Sequence, residues 1–164
     1  MKTLYLVRHA KSSRDDPGLP DRQRPLTPRG ERDAATMGHR LRQGHGQPGL
    51  IVSSPALRAL ATARRMAEAL DCAPGQLLLD ERLYAATMAT LLAVVEAIDD
   101  KPQCVMLVGH NPEITELAHR FASDIMHMPT CAIAEFAFDA RRWSGIGRAK
   151  PVRAAFDAPK HSPT

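Results

Sequence analysis

The sequence predicts an α/β domain: a three-layer α/β/α sandwich with a mostly parallel central sheet and a C-terminal edge hairpin. Three observations predict it. Short apolar runs at residues 4–7, 50–52, 77–79 and 104–108 alternate with stretches whose apolar residues recur at helical spacing. The run at 104–108 is apolar throughout, as a central strand buried on both faces must be. Toward the C-terminus the period changes to two, with Ala134, Phe136 and Phe138 on one side and Glu135 and Ala137 between them. Residues 152–156 supply a partner strand after a loop holding Trp143 and Gly145.

Each element carries its own signals. The first strand runs straight into Arg8 and His9, and in open α/β sheets ligands collect outside the carboxyl ends of the strands. Residues 10–28 hold Ser12, Ser13, Asp15, Asp16, Gly18, Asp21 and several prolines, and read as a long loop; loops of that length inside a compact domain are usually functional. Asp21 and Arg24 read as an ion pair tying the loop down, with a feature of a substrate loop as the alternative. A helix follows, with Thr27 as N-cap, Pro28 at the first helical position, and Glu31 and Asp33 where the dipole favours acids. Ala34, Met37, Gly38 and Leu41 form its buried stripe, and Gly44, Gly46, Pro48 and Gly49 end it.

After the second strand, Ser54 is the expected cap of a helix with Pro55 at its first position and Leu60, Ala63, Ala67 and Leu70 on its apolar face. Arg58 then falls in the first helical turn, where free backbone N–H groups already attract anions. Leu91, Val94, Val95 and Ile98 mark a third helix. The fourth strand ends at Gly109 and His110, ahead of a helix with Ile114, Leu117, Ala118 and Phe121 on one stripe.

At 164 residues the chain reads as one domain, residues 1–158, with a frayed tail at 159–164. The balance of 44% hydrophobic and 24% charged residues is that of a soluble globular protein. An excess of 22 Lys and Arg over 18 Asp and Glu is mildly basic, which suits an anionic ligand. It does not point to nucleic acid: basic residues are scattered, aromatics are few, and no recognised nucleic-acid-binding motif occurs. Cys72, Cys104 and Cys131 are widely spaced and odd in number, which argues against a disulfide framework or structural zinc and for a reducing compartment. No stretch approaches the roughly 20 apolar residues of a membrane span. The expectation is a cytoplasmic protein with no membrane partner.

Arg8, His9, Arg58 and His110 thus fall just past strand ends in three separate βα units. Adjacent parallel strands bring such residues to one edge of the sheet. Two guanidiniums and two imidazoles there suit a dianionic tetrahedral group, because Arg forks match phosphoryl oxygens bidentately. His39, His45, His119, His127 and His161 share no such setting and read as structural or surface residues.

The segments LVRHAKSS, RPLTPRG, SSPALRA and VGHNPEI, in this order over nearly the whole chain, resemble the histidine phosphatase superfamily, whose mark is an RHG triplet on the first strand. The likeness is greatest to its short SixA-like phosphohistidine phosphatase branch. The resemblance implies the phosphoglycerate mutase-like histidine phosphatase fold and a phosphatase that needs no metal or cofactor. His9 is then the nucleophile, forming a phosphohistidine intermediate that water hydrolyses. Arg8, Arg58 and His110 hold the phosphoryl oxygens, with Ser12 and the Asn111 backbone as further donors.

Such a nucleophile must be neutral, with one ring nitrogen free and the other pinned by an acceptor such as a backbone carbonyl. Arg8 and Arg58 are expected to lower the His9 pKa by disfavouring a third positive charge, and to stabilise the charge-rich transition state.

Two departures from the family pattern matter. Ala10 replaces the Gly of RHG, harmless unless that backbone needs positive φ. Ala85 stands in the triplet Leu83, Tyr84, Ala85, where the cofactor-dependent mutases carry an LxE acid; Glu81, four residues earlier, is the possible substitute. An alkoxide leaving group needs a proton, whereas a protonated imidazole leaving from phosphohistidine needs less help. The expected substrate is therefore phosphohistidine on a partner protein. The alternatives are a small phosphorylated molecule, a phospho-binding module without turnover and, last, a metal-dependent hydrolase using His9 and His110. Oligomeric state is left open.

Overall fold

A computed structural model describes residues 1–159. Strands β1 (Lys2–Arg8), β2 (Leu50–Ser53), β3 (Leu77–Leu79), β4 (Cys104–Gly109), β5 (Ile133–Phe138) and β6 (Arg153–Asp157) form one sheet in the order β3-β2-β4-β1-β5-β6. The first four are mutually parallel where they pair; β5 runs antiparallel to β1, and β6 antiparallel to β5. The C-terminal hairpin thus forms one edge of the sheet, as its period-two pattern predicts. The expected tail falls, apart from Pro159, outside the described residues.

Alternation along the central strands decides the layers. Leu4 and Leu6 of β1 and Val105 and Leu107 of β4 enter one core with α3 (Met88–Glu96) and α4 (Glu113–Phe121). Tyr5, Val7, Met106 and Val108 enter the other, with α1 (Pro28–Gln43) and α2 (Leu57–Ala69). The result is the three-layer sandwich, and β4 is buried on both faces. No helix among the described residues is long and apolar enough to cross a membrane.

Helix α1 starts as predicted: the Thr27 side chain accepts from the Gly30 N–H at 3.0 Å, Pro28 opens the helix, and Gly44 caps its end. Helix α2 differs from expectation. It begins at Leu57, with Ala56 as N-cap and no side-chain cap, two residues later than a Ser54 cap with Pro55 at the first position requires. The Ser54 hydroxyl still accepts from the Ala56 N–H at 3.2 Å, in a local turn ahead of the helix, and it also lies 2.7 Å from His110 Nε2.

The buried face of α2 is also rotated. It comprises Arg58, Ala59, Thr62, Ala63, Met66 and Ala69, while Leu60 and Ala67 are only half-buried. Polar site residues on one end of the helix, and close packing on α1 along the rest, decide this rotation. A Cβ on Gly38 would meet the Ala69 Cβ at 2.8 Å and the Met66 Cα at 3.1 Å.

The segment read as a long loop is tied into a hairpin-like strap. Ser12 and Leu26 form an antiparallel bridge, the Ser13 N–H donates to Pro25 O at 2.8 Å and the Thr27 N–H to Lys11 O at 2.9 Å, and residues Asp21–Gln23 make a 3₁₀ turn. Gly30 lets this strap rest on α1: a Cβ there would sit 2.2 Å from Lys11 O, which is backbone and cannot swing away. Gly30→Ala is therefore expected to lower the urea midpoint, at a cost of about 1–3 kcal/mol for overpacking, and to raise protease cleavage within residues 11–27.

Candidate active site

The site begins in strand pairing. Arg8 of β1 lies in register with Gly109 of β4, and the ladder continues past the strand ends where the His9 N–H donates to Gly109 O at 3.0 Å. On the other side of β4 the Ser54 N–H donates to Val108 O at 3.0 Å. His9 and His110 are thereby neighbours, with ring centroids 5.1 Å apart. Arg58, second residue of α2, comes over from the end of β2. These four residues, with Ser12 and Asn111, line one cleft of about 290 Å³ at the carboxyl edge of the sheet. A larger groove of about 630 Å³ runs past Leu78, Leu79, Val94 and Ile98, but it is mostly apolar and contains none of the four.

His9 is held as one tautomer. Its Nδ1 lies 2.8 Å from Ala10 O, and a carbonyl can only accept, so Nδ1 carries the proton and Nε2 keeps a free lone pair. The Ala10 backbone is itself anchored, its N–H donating to Thr62 Oγ1 at 2.9 Å while that hydroxyl donates to Arg58 O at 2.7 Å. Ala10 is not among the described residues with positive φ, so a methyl group is accommodated where the family triplet has glycine. Burial pushes the His9 pKa down to about 3, against the Ala10 hydrogen bond, with His110, Arg58 and Arg8 adding to the fall. Burial, then Arg58, brings His110 to about 4. Desolvation thus exceeds the charge repulsion that the sequence makes evident. Both rings are neutral at neutral pH.

The cations are aimed by their outer contacts. Arg8 Nη1 donates to Met128 O at 3.1 Å. Arg58 is gripped by Asp21, with Nη1 donating to the backbone carbonyl at 2.7 Å and Nη2 to Oδ2 at 3.0 Å. Because Ser54 Oγ already accepts from the Ala56 N–H, its own hydrogen is free to donate to His110 Nε2, which leaves the imidazole proton on Nδ1. Among the described residues four buried side-chain polar atoms lack a hydrogen-bond partner, and three of them are Arg8 Nε, Arg58 Nε and His110 Nδ1. Buried donors are rarely left so. Their concentration beside a neutral imidazole forms a cradle for an anion with several acceptor oxygens.

Ser12 lines the cleft and accepts from Arg24 Nη1 at 2.9 Å. Asn111 lines it too, its side chain donating to Met128 O at 3.1 Å and accepting from Thr115 at 2.7 Å. Glu81 is not brought to the cleft; its exposed carboxylate takes both of its bonds from Arg22 Nη2, at 3.0 and 2.8 Å. Among the described residues no group of three His, Cys, Asp or Glu is placed to hold a metal ion.

Sequence reasoning missed the reach of Asp21. Besides its ion pair with Arg24 it grips Arg58 and accepts from the Tyr84 hydroxyl at 2.6 Å. The Tyr84 bond first, then Arg58 and Arg24, hold its carboxyl well below the usual carboxylate range. The Asp21–Arg24 spacing signals only the local pair, whereas Arg58 and Tyr84 meet Asp21 through the fold.

The two depressed histidines make stability depend on pH. An unfolded imidazole binds a proton below about 6.5, but the folded rings do so only near 4 and 3, so the unfolded state gains protons first. Their stabilising contribution is complete above 6.5 and is lost as pH falls through that window. Urea midpoints are expected to drop between pH 7 and pH 5, and to drop less in His9→Asn.

Comparison with known proteins identifies the family. Residues 4–91 match the family model described as histidine phosphatase superfamily, branch 1. An uncharacterized protein of Mycobacterium tuberculosis is 36% identical over 140 residues, covering 85% of this chain and 84% of that protein. Among solved structures, a candidate phosphohistidine phosphatase SixA from Agrobacterium tumefaciens has a TM-score of 0.79 at 25% identity, with 94% of this chain and 97% of that one covered. Protein histidine phosphatase SixA complexed with tungstate gives a TM-score of 0.77 at 21% identity, covering 96% of this chain and 97% of that one. Phosphoserine phosphatase from Entamoeba histolytica, in complex with 3-phosphoglyceric acid, gives 0.66 at 18%, covering 98% and 99%. The last two are likenesses of fold. The family model matches more than half of the sequence and the mycobacterial relative extends the match over most of its length, so the chain belongs to the histidine phosphatase superfamily.

Proposed function

We propose that this chain is a phosphatase that uses His9 as its nucleophile and removes phosphate from phosphohistidine on a partner protein. The observation that carries this reading is the set of unpartnered donors, Arg8 Nε, Arg58 Nε and His110 Nδ1, around a neutral His9. His9 Nε2 attacks phosphorus, the bond to the leaving nitrogen breaks, and the three donors take the phosphoryl oxygens as charge spreads over them. Phosphorylation of Nε2 makes the His9 ring cationic, and the Nδ1–H to Ala10 O bond strengthens as it does so. Water then attacks phosphorus, and inorganic phosphate leaves as Nε2 regains its lone pair. The guanidiniums supply the charge stabilisation that a metal would otherwise give.

The choice of phosphohistidine rests on the proton that is not supplied. Ala85 offers no acid, and Glu81 is engaged by Arg22 outside the cleft. The likeness to the candidate phosphohistidine phosphatase SixA from Agrobacterium tumefaciens supports the same choice. Three free cysteines fit a reducing compartment, and we place the protein in the cytoplasm.

A second reading, a phosphatase of small monoesters, is favoured by one feature. Glu113, buried and with its pKa raised by that burial, lines the outer part of the cleft beside Ala85. A carboxyl there would be the proton donor an alkoxide needs.

Rapid quenching with a radiolabelled phosphohistidine carrier protein is expected to trap an acid-labile, base-stable phosphoenzyme in the unaltered protein and none in His9→Ala. Arg58→Ala should reduce kcat/KM roughly 10²–10³-fold, as loss of a transition-state donor does. Comparable efficiency on the carrier and on a panel of alkyl phosphates, with the alkyl activity lost in Glu113→Gln, would replace the first reading by the second.

A further inference from the structure

The cleft has two lobes. The inner one holds His9; the outer one, about 370 Å³, is walled by Tyr84, Ala85, Pro112 and Glu113 and does not include His9. Asp21, Arg58 and His110 line both. A phosphoryl group held next to His9 therefore has its leaving group in the outer lobe, and Asp21 stands at the boundary.

The Asp21 carboxylate is built in place. Its backbone sits in the 3₁₀ turn and accepts from Arg58, its Oδ2 accepts from Arg58 and Tyr84, and its Oδ1 accepts from Arg24 Nε at 3.2 Å. A carboxylate has about four acceptor positions. Three are used, the fourth lies on Oδ1, and half of the side chain, 51%, is exposed. The three donors that hold Asp21 also keep it ionised. It has no proton to give, so its role toward a leaving group is that of acceptor.

We propose that Asp21 accepts the ring N–H of the substrate's phosphohistidine, so that the imidazole departs neutral without a general acid; this rests on the phosphohistidine reading above. The substrate ring enters protonated on the nitrogen that does not carry phosphorus. His9 Nε2 forms its bond to phosphorus, the substrate P–N bond breaks, and its electron pair stays on the departing nitrogen. The cationic ring becomes neutral imidazole while its proton remains on the other nitrogen, held by Asp21. Atoms and charge balance with no proton transfer. Asp21 also offsets the repulsion that Arg8, Arg24 and Arg58 exert on a cationic ring, and it repels leaving groups that bear a carboxylate.

The test compares kcat/KM for phosphoimidazole and 4-nitrophenyl phosphate in the full chain. The first leaving group can present an N–H and the second cannot, while both need Arg58 equally. Asp21→Asn is expected to reduce the phosphoimidazole value roughly 10- to 100-fold more than the nitrophenyl value, the worth of a charged hydrogen bond. Equal loss on both substrates would overturn the proposal and leave Asp21 as a positioning residue for Arg58. Asp21→Glu keeps the charge but moves the acceptor, so the same selective loss is expected, and an unchanged ratio would count against contact with the substrate. Tungstate binding by calorimetry identifies any variant whose cleft has collapsed. Failure of the unaltered protein on phosphoimidazole and phosphohistidine carrier alike would remove the parent reading, whereas a ratio insensitive to Asp21 removes only this one.

Discussion

The parallel pairing of β1 with β4 is the constraint on which the site depends. It runs in register from Thr3 with Cys104 to Arg8 with Gly109, then extends one bond further through the His9 N–H. A slip of one residue would turn Leu4 and Leu6 into the wrong core and move His9 to the opposite face of the sheet. Burial on both faces makes that slip costly, so the hydrophobic alternation that builds the sandwich also aligns the two histidines. The Cys131 N–H, shared between Arg8 O and His9 O at 3.1 and 3.0 Å, fixes the strand end from the antiparallel side.

Around this frame the protein sets neutral imidazoles among cations. Burial contributes most to keeping His9 and His110 unprotonated, and the guanidiniums reinforce it. The cations in turn are aimed by acceptors outside the cleft: Met128 O for Arg8, and Asp21 for Arg58. These contacts leave one buried N–H on each of Arg8, Arg58 and His110 without a partner. Preorganised donors of this kind need no rearrangement when a charged group arrives, which is where their advantage over water lies. Asp21 joins the strap, α2 and the segment after β3 at one carboxylate, so the structural ion pair with Arg24 and the aiming of Arg58 are one feature.

Much of this was legible in the chain. Apolar runs and helical stripes gave the α/β order and the C-terminal hairpin because burial on both faces of a sheet leaves an unmistakable pattern. Thr27 and Pro28 marked the start of α1 because capping is a local interaction. The segments around Arg8, His9, Arg58 and His110 could be assigned to strand ends for the same reason. The start and rotation of α2 could not be, because Ser54 is drawn to His110 and Gly38 demands a close approach of α1 to Ala69, and both are contacts between distant segments.

By itself, then, the sequence determined which residues are presented at the carboxyl edge of the sheet, since that follows from local periodicity and from the apolar runs that precede them. Only the tertiary structure decided what state and direction they take. The proton on His9 Nδ1 depends on the Ala10 carbonyl, its loss of basicity on burial, and the aim of Arg58 on Asp21, which lies 37 residues away along the chain. Glu81 shows the same limit from the other side, since proximity to Ala85 in sequence did not bring it into the cleft once Arg22 had taken its charge. Hydrogen bonds and desolvation act over a few ångströms in space, and spacing along the chain carries no record of which distant groups will meet.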